Sequence, residues 1–280
     1  QEVITYSFIS NEYHDLIDPS AKKITLKNPI SDDMSIMRSS LWPGLLQITE
    51  MNQRRGHHNA RFFEAGLCFS GISVDDQRQK IAGIICGERF ESQWGSPERE
   101  VDFFDAKSDV ESLLSLTGKD YLFEAADHPA LQPGQAAKIS RNGQLIGWIG
   151  ALSPHLQKKL SLPKLFLFEL NQSDIEQRKI SSYQSFSSFQ SSQRDIAMVV
   201  AKDVNADQLI YAIQSLNQEH LIEVNLFDVY EGEHIEKGKK SVALNLTYQS
   251  IEDTLTDDQL NQQVEDIITH LESKFSAKLR

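Results

Sequence analysis

Cysteine is scarce in this sequence. Cys68 and Cys86 are the only two among 280 residues, and each sits inside an apolar run, GLCFS and GIICG. That excludes a disulfide framework, fits a reducing compartment, and reads as two core thiols. Long hydrophobic runs are missing as well: none approaches the ~20 residues a membrane helix needs, and no signal peptide opens the chain. Positive charge is also short. Lys plus Arg number 28 against 40 Asp plus Glu, a formal net charge of −12. Residues 183–280 carry 8 basic and 16 acidic side chains, leaving 20 and 24 for residues 1–182. Such a balance favours solubility and repels anionic lipid and, on average, nucleic acid. There is no G-x-x-x-x-G-K-[ST] phosphate loop and no G-x-S-x-G nucleophile elbow. Gly147-Trp148-Ile149-Gly150 lacks the third glycine of a dinucleotide fingerprint.

What is present is an ordinary globular composition, 40% hydrophobic and 24% charged, over a length suited to about two domains. The chain starts at Gln1 and enters VITYSF directly, which reads as a piece cut from a longer protein. Val3–Phe8 and Lys23–Leu26 read as strands, and 36–55 as a helical pattern interrupted at Trp42-Pro43-Gly44. Strands follow at 61–70 and 79–87, then an amphipathic helix over 102–117 ended by Gly118. Strands at 121–125, 136–141 and 144–151 come next, the last two joined by Asn142-Gly143, a strong hairpin signal. A short helix at 153–160 opens on Ser153-Pro154, and Leu165–Leu170 is a further apolar strand. This first part is α+β, mostly antiparallel sheet.

SSYQSFSSFQSSQ then brings seven serines without a charge, a linker-like texture. The expected organisation is a domain over 1–182, a linker at 183–193 and a second domain over 194–280. The second reads strand (195–200), helix (205–217), strands (221–230, 240–249), helix (257–275) and strand (277–280). That βαββαβ order is the ferredoxin-like arrangement.

Candidate chemistry is sparse. His57 and His58 are adjacent, a poor geometry for one metal ion, and no Cys or carboxylate lies at ligand spacing. Asp102, Asp105, Asp109 and Glu111 ride one helix as a solvated acidic face. Arg38, Arg54, Arg55 and Arg61 form a cationic cluster with two readings: a face for an anionic partner, or a surface paired with local acids. In the second domain, strand alternation sets Phe227 and Val229 on one face and Asp228 and Tyr230 on the other. If helices cover the first face, Tyr230 stands on an open sheet, where such aromatics stack single-stranded bases. The alternative is a tyrosine capping a sheet edge, since the strand from Ser241 to Tyr248 lacks the matching aromatics of an RNP1 motif.

Several longer motifs carry a family resemblance. Asn28-Pro29-Ile30-Ser31, Met37 to Leu46 (MRSSLWPGLL), Asn52, Arg54-Arg55, Phe63-Glu64-Ala65-Gly66, Asp102 to Lys107 (DFFDAK), Pro133 to Ala137 and Gly147 to Gly150 resemble the catalytic-like domain of the bacterial phenylalanyl-tRNA synthetase beta subunit. Arg194 to Ala197, LFDVYEG, GKKS, Thr254 to Asp257 and the terminal Leu279-Arg280 resemble its ferredoxin-fold anticodon-binding domain. The resemblance runs through nearly the whole chain in the family's order.

It implies a class II synthetase-like antiparallel domain that has lost its chemistry, followed by a domain that reads a tRNA anticodon. The family enzyme is a cytoplasmic α2β2 ligase that uses ATP and Mg2+ to charge phenylalanine tRNA, with catalysis in the alpha subunit. No cofactor, membrane or DNA is implied for the present residues. LFLFEL is followed by Asn171-Gln172-Ser173, without the glycine and arginine that hold ATP in class II enzymes. By the same resemblance Tyr230 would stack on an anticodon base, Asp228 and Ser241 would hydrogen-bond, and Lys237, Lys239 and Lys240 would meet phosphates. The arginine cluster would then lie at the interface with alpha. Gln190-Ser191-Ser192 replaces the Pro-rich approach usual in the family. Two other readings stand beside this one: a free-standing regulator with a metabolite-binding ferredoxin-like domain, and an enzyme with its own ATP site near Arg38 and Arg61.

Overall fold

A strand buried on both faces shows an unbroken apolar run rather than alternation. The runs in QKIAGIICG and LFLFEL obey that rule, for they become adjacent inner strands of one sheet. The computed structural model describes residues 1–90, 92–117, 121–176, 183 and 185–280. The chain divides into two compact units, Gln1–Ile180 and Ser181–Arg280. The expected boundary at Ser182 and the expected helix end at Gly118 lie outside the described residues.

The first unit runs β1 (Phe8–Ile9), α1 (Asn11–Ile17), β2 (Ile36–Met37), α2 (Trp42–Arg54), β3 (Ala60–Phe69), β4 (Gln77–Cys86), α3 (Phe103–Ser115), β5 (Tyr121–Ala125), β6 (Leu131–Arg141), β7 (Gln144–Leu152), α4 (Pro154–Lys159), β8 (Leu165–Asn171) and α5 (Gln172–Ile175). Six of these strands form one antiparallel sheet in the order β3-β4-β8-β7-β6-β5. Alternation sorts its side chains onto two cores. Ile84, Cys86, Leu165 and Leu167 pack with Leu41, Trp42, Leu45 and Leu46 at the start of α2, Ile17 of α1 and Leu156 of α4. Ile85, Phe166, Phe168 and Ile149 pack on the other face with Ala106, Val110 and Leu114 of α3. Both faces of the sheet are therefore covered. The Phe168 ring fills the space over Gly83, where a Cβ would come within 2.4 Å of it. Asn142 and Gly143 turn the β6–β7 hairpin with φ of 50° and 78°, the positive pair that a type I′ turn requires.

Four local readings are corrected. Residues 36–41 are not helical: the Met37 N–H donates to Ile24 O and the Phe69 N–H to Arg38 O. The helix begins only at Trp42, with Pro43 in its first turn, where proline's missing donor costs nothing. Most of 3–8 lies against β3 without forming a regular strand, through Val3 N–H to Phe63 O at 2.9 Å and a single bridge from Glu2 to Phe63. Segment 23–26 makes one bridge, Thr25 to Ile36. The acidic residues of α3 are not all solvated either. Asp102 caps the helix by accepting from Phe104 and Asp105 N–H, and buried Asp105 receives both ends of the Arg99 guanidinium at 2.7 and 2.8 Å.

The second unit runs β9 (Ser192–Ala201), α6 (Ala206–Ser215), β10 (Leu221–Tyr230), β11 (Lys239–Tyr248), α7 (Asp257–Phe275) and β12 (Lys278–Leu279). The sheet order is β10-β11-β9-β12, all antiparallel, the ferredoxin-like topology the element order implied. α7 starts on a capping box, with Thr256 accepting from Gln259 N–H and Gln259 reaching back. The end of the serine-rich segment is docked rather than free. Ser187 Oγ donates to Ser250 O, Gln249 donates to Phe189 O, and β9 already begins at Ser192. Among the described residues no helix is long and apolar enough to cross a membrane.

Candidate nucleic-acid interface

Register decides which side chains share the helix-free face of the second sheet. Ile196, Met198 and Val200 of β9 and Val242, Leu244 and Leu246 of β11 are buried with Leu209 and Ile213 of α6 and Leu260, Ile267 and Leu271 of α7. Their strand neighbours point to the opposite face. One row there reads Tyr230, Ser241, Val199, Lys278 across the four strands. The next reads Asp228, Ala243, Ala197, and the Arg280 N–H donates to Ala197 O at 2.9 Å to complete it. A third holds Asn225, Asn245 and Asp195, with Asn245 Nδ2 donating to Asp195 Oδ1 at 2.6 Å. The middle of this face is a shallow floor of small side chains flanked by Tyr230 and Asp228 on one edge and cations on the other.

Tyr230 and Asp228 thus share the helix-free face. Phe227 does not pair with Val229 as strict alternation requires, because the register shifts between Leu226 and Asp228 and leaves Phe227 in a bulge. Gly232 sets the tyrosine. A Cβ there would lie 2.2 Å from the phenolic oxygen, so only glycine lets the ring settle over the turn. The Arg280 guanidinium carbon stands 5.2 Å from the ring centroid, within cation–π range. Ser241, although on the helix-free face, is only 3% exposed.

The lysines divide. Lys239 shares the face of Ser241, two residues on, and its Nζ is 2.6 Å from Glu236 Oε2. That bond holds the Glu236 carboxyl below its usual range. Lys240 pairs with Val200 and so points to the helix side, which removes it from the floor. Lys237 is exposed in the β10–β11 turn.

The arginines of the first unit do not form one cationic face. Arg38 is buried, with Nη1 2.7 Å from Glu64 Oε1 and 3.0 Å from Thr5 Oγ1 while Nε donates to Leu67 O. It is an interior charge, closed to an anionic partner or to an ATP site. Arg54 pairs with Glu50 one turn earlier, and Arg61 lies 3.6 Å from Asp109. Arg55 is exposed at the end of α2. Of the four, only Arg54, Arg55 and Arg61 reach the surface. His58 Nδ1 sits 2.9 Å from Gln53 Oε1, an amide partner rather than a ligand shell.

Residues 1–172 match the family model described as the phenylalanyl tRNA synthetase beta chain CLM domain, and residues 187–280 the ferredoxin-fold anticodon binding domain. The chain belongs to the phenylalanyl-tRNA synthetase beta chain family. It is 42% identical over 284 residues to the phenylalanine–tRNA ligase beta subunit of Pseudomonas putida, and 43% over 285 residues to that of Nitrosococcus oceani. Each alignment covers 100% of this chain and 36% of the relative, so the chain spans little more than a third of the curated relatives it matches. A solved pyrrolysyl tRNA synthetase from Desulfitobacterium hafniense aligns with a TM-score of 0.46 at 12% identity, over 63% of this chain and 59% of that one.

For a phenylalanyl-tRNA synthetase beta chain, the additions the structure makes to the sheet are Lys278 and Arg280. The residues alone predict a closing strand at 277–280 and place Leu279-Arg280 among the family motifs, but assign neither Lys278 nor Arg280 to the open face. The alternation Lys-Leu-Arg after buried Ala277 was the available signal.

Proposed function

We propose that this chain is a portion of the beta subunit of phenylalanine–tRNA ligase. In this reading its second unit receives the anticodon of phenylalanine tRNA, and its first unit is a non-catalytic scaffold meeting the alpha subunit. The observation that carries the reading is the helix-free face of residues 187–280. There Tyr230, Asp228 and Ser241 stand in adjacent rows within a unit that matches an anticodon-binding model. A base stacked on Tyr230 gains about 1–3 kcal/mol. Asp228 supplies an acceptor, and Ser241 a hydroxyl that both donates and accepts. Lys239 and Lys237 stand near enough to the turn to meet phosphate, whereas Lys240 drops out.

Two features support a scaffold in the first unit. The sheet face opposite α2 is packed by α3 with Phe166 and Phe168, and the strand ahead of Asn171 leads into α5 without a glycine or arginine. In this reading ATP and Mg2+ are used by the whole ligase elsewhere, in the cytoplasm. Arg54, Arg55 and Arg61 remain candidates for the contact with alpha. Relatives spanning the full length of the chain favour this reading over a free-standing metabolite-binding regulator.

The test is Tyr230→Ala in the assembled ligase. We expect the KM for phenylalanine tRNA to rise roughly 5- to 150-fold, the range that 1–3 kcal/mol of stacking implies, with phenylalanyl-adenylate formation unchanged. Unaltered charging kinetics would remove the stacking assignment.

A further inference from the structure

We infer that Arg280 is a latch on the nucleic-acid face: its guanidinium closes over Tyr230 in the free protein and must swing away before a base can stack. The inference rests on the anticodon-face reading and adds a gate to it. Arg280 and Tyr230 belong to opposite edges of the four-stranded sheet, with β11 and β9 between them. Strands spaced about 4.8 Å apart put those edges roughly 14 Å from each other. The guanidinium nevertheless comes to 5.2 Å from the ring centroid, so the arginine side chain reaches across the face to the tyrosine.

What lies beneath permits this. The inner positions of the two rows are Ser241, Ala243, Val199 and Ala197, none with a side chain long enough to hold the arms apart. The burial of Ser241 accords with closure. It faces away from the helices and is still 3% exposed, so a hydroxyl assigned to hydrogen-bond a base is covered in the free state.

The geometry also says which arm moves. The Tyr230 ring rests on Gly232 with no room for a Cβ, and its Cα is held in the β10–β11 ladder. Arg280 follows a two-residue strand, with its own N–H bonded to Ala197 O, and its long side chain is exposed. A base about 3.4 Å thick needs about 6.8 Å between the groups that sandwich it, more than the separation seen. Insertion therefore displaces Arg280, which trades its contact with the ring for one with the incoming strand's phosphate or base. No other basic side chain lies against the ring among the described residues.

The experiment follows association of an anticodon stem-loop RNA with the intact protein by stopped flow, at high ionic strength so that steering by charge is screened. Wild type, Arg280→Ala, Arg280→Lys and Tyr230→Ala are compared. Opening a contact of ordinary cation–π strength makes Arg280→Ala associate about threefold faster than wild type. Arg280→Lys, which keeps the charge without the planar group, lies between them. In the free protein, 19F NMR of fluorotyrosine at position 230 should show a resonance in Arg280→Ala displaced from that of wild type, because the guanidinium no longer covers the ring. Equal or slower association by Arg280→Ala, or a fluorotyrosine resonance indifferent to that substitution, overturns the latch. Should Tyr230→Ala bind as wild type does, the anticodon-face reading itself fails, a separate outcome that overturns the latch with it.

Discussion

The guanidinium of Arg38 donates to oxygens of Leu67, Thr5 and Glu64 from a position with 5% of its side chain exposed, and Glu64 keeps 3%. Removing one member of such a pair strands the other without water, at about 3–5 kcal/mol. Arg38→Met is therefore expected to destabilise the first unit by that amount in urea unfolding. The arginine is shaped into place by Gly66, where a Cβ would come 2.4 Å from its Nη2. Gly232 acts on Tyr230 in the same manner. We expect Gly232→Ala to push the ring off its seat and weaken anticodon stem-loop binding nearly as much as Tyr230→Ala. Chemical stability should stay within about 0.5 kcal/mol, because the glycine is exposed. Loss of stability in step with binding would show that the turn, rather than the ring, had been disturbed.

Among the elements here, α2 takes its capping group from far along the chain. The start of α2 is held by Glu169 of β8, whose Oε1 accepts from Leu41 N–H at 2.7 Å and Ser40 Oγ at 2.8 Å while Oε2 meets Lys80 Nζ at 2.6 Å. Burial alone would push the Lys80 ammonium down, but Glu169 overrides it and the net shift is upward. Glu169→Gln should cost about 2–3 kcal/mol in urea unfolding, less than a fully buried pair because Lys80 keeps 20% of its side chain exposed. At the start of α3, the Arg99 bond chiefly holds the Asp105 carboxyl below the usual carboxylate range, against the opposing effect of burial. A lowered folded value stabilises above the ordinary pKa near 4 and loses that contribution as pH falls through the folded value. Wild type should thus exceed Asp105→Asn in stability at pH 7, with the gap closing below about pH 4. The same contacts explain what was legible in sequence. Strands such as Tyr121–Ala125 and Leu221–Tyr230, and the helix Asp257–Phe275, carry their own period and caps and were readable from residues alone. The extended path of Ile36 to Leu41 was not, because its partners are Ile24, Phe69 and Glu169. In the candidate site, alternation placed Tyr230 beside Asp228, but nothing local links Arg280 to a ring 50 residues away.

At the scale of the whole molecule, charge and binding must be reconciled. The second unit carries 8 basic against 16 acidic side chains over residues 183–280, so no broad cationic field draws RNA to it. Acids also claim part of what positive charge exists: Lys202 pairs with Glu231, Lys239 with Glu236 and Arg194 with Asp257. On the helix-free face the available cations reduce to Lys278, Arg280 and, by exchange, Lys239. Each phosphate neutralised on a single strand contributes about −0.7 to the slope of log K against log salt. These three contacts together with Lys237 of the turn give a slope near about −3 for an anticodon stem-loop RNA binding to the intact protein, measured by fluorescence anisotropy across a salt series. Lys278→Ala should flatten the slope by about 0.7, whereas Tyr230→Ala should lower affinity at every salt concentration and leave the slope alone, since stacking releases no counterions. A slope steeper than about −4 would mean that cations outside this sheet hold the loop. The binding would then be electrostatic in origin, and the small floor between Tyr230 and Arg280 would not be where the RNA is read.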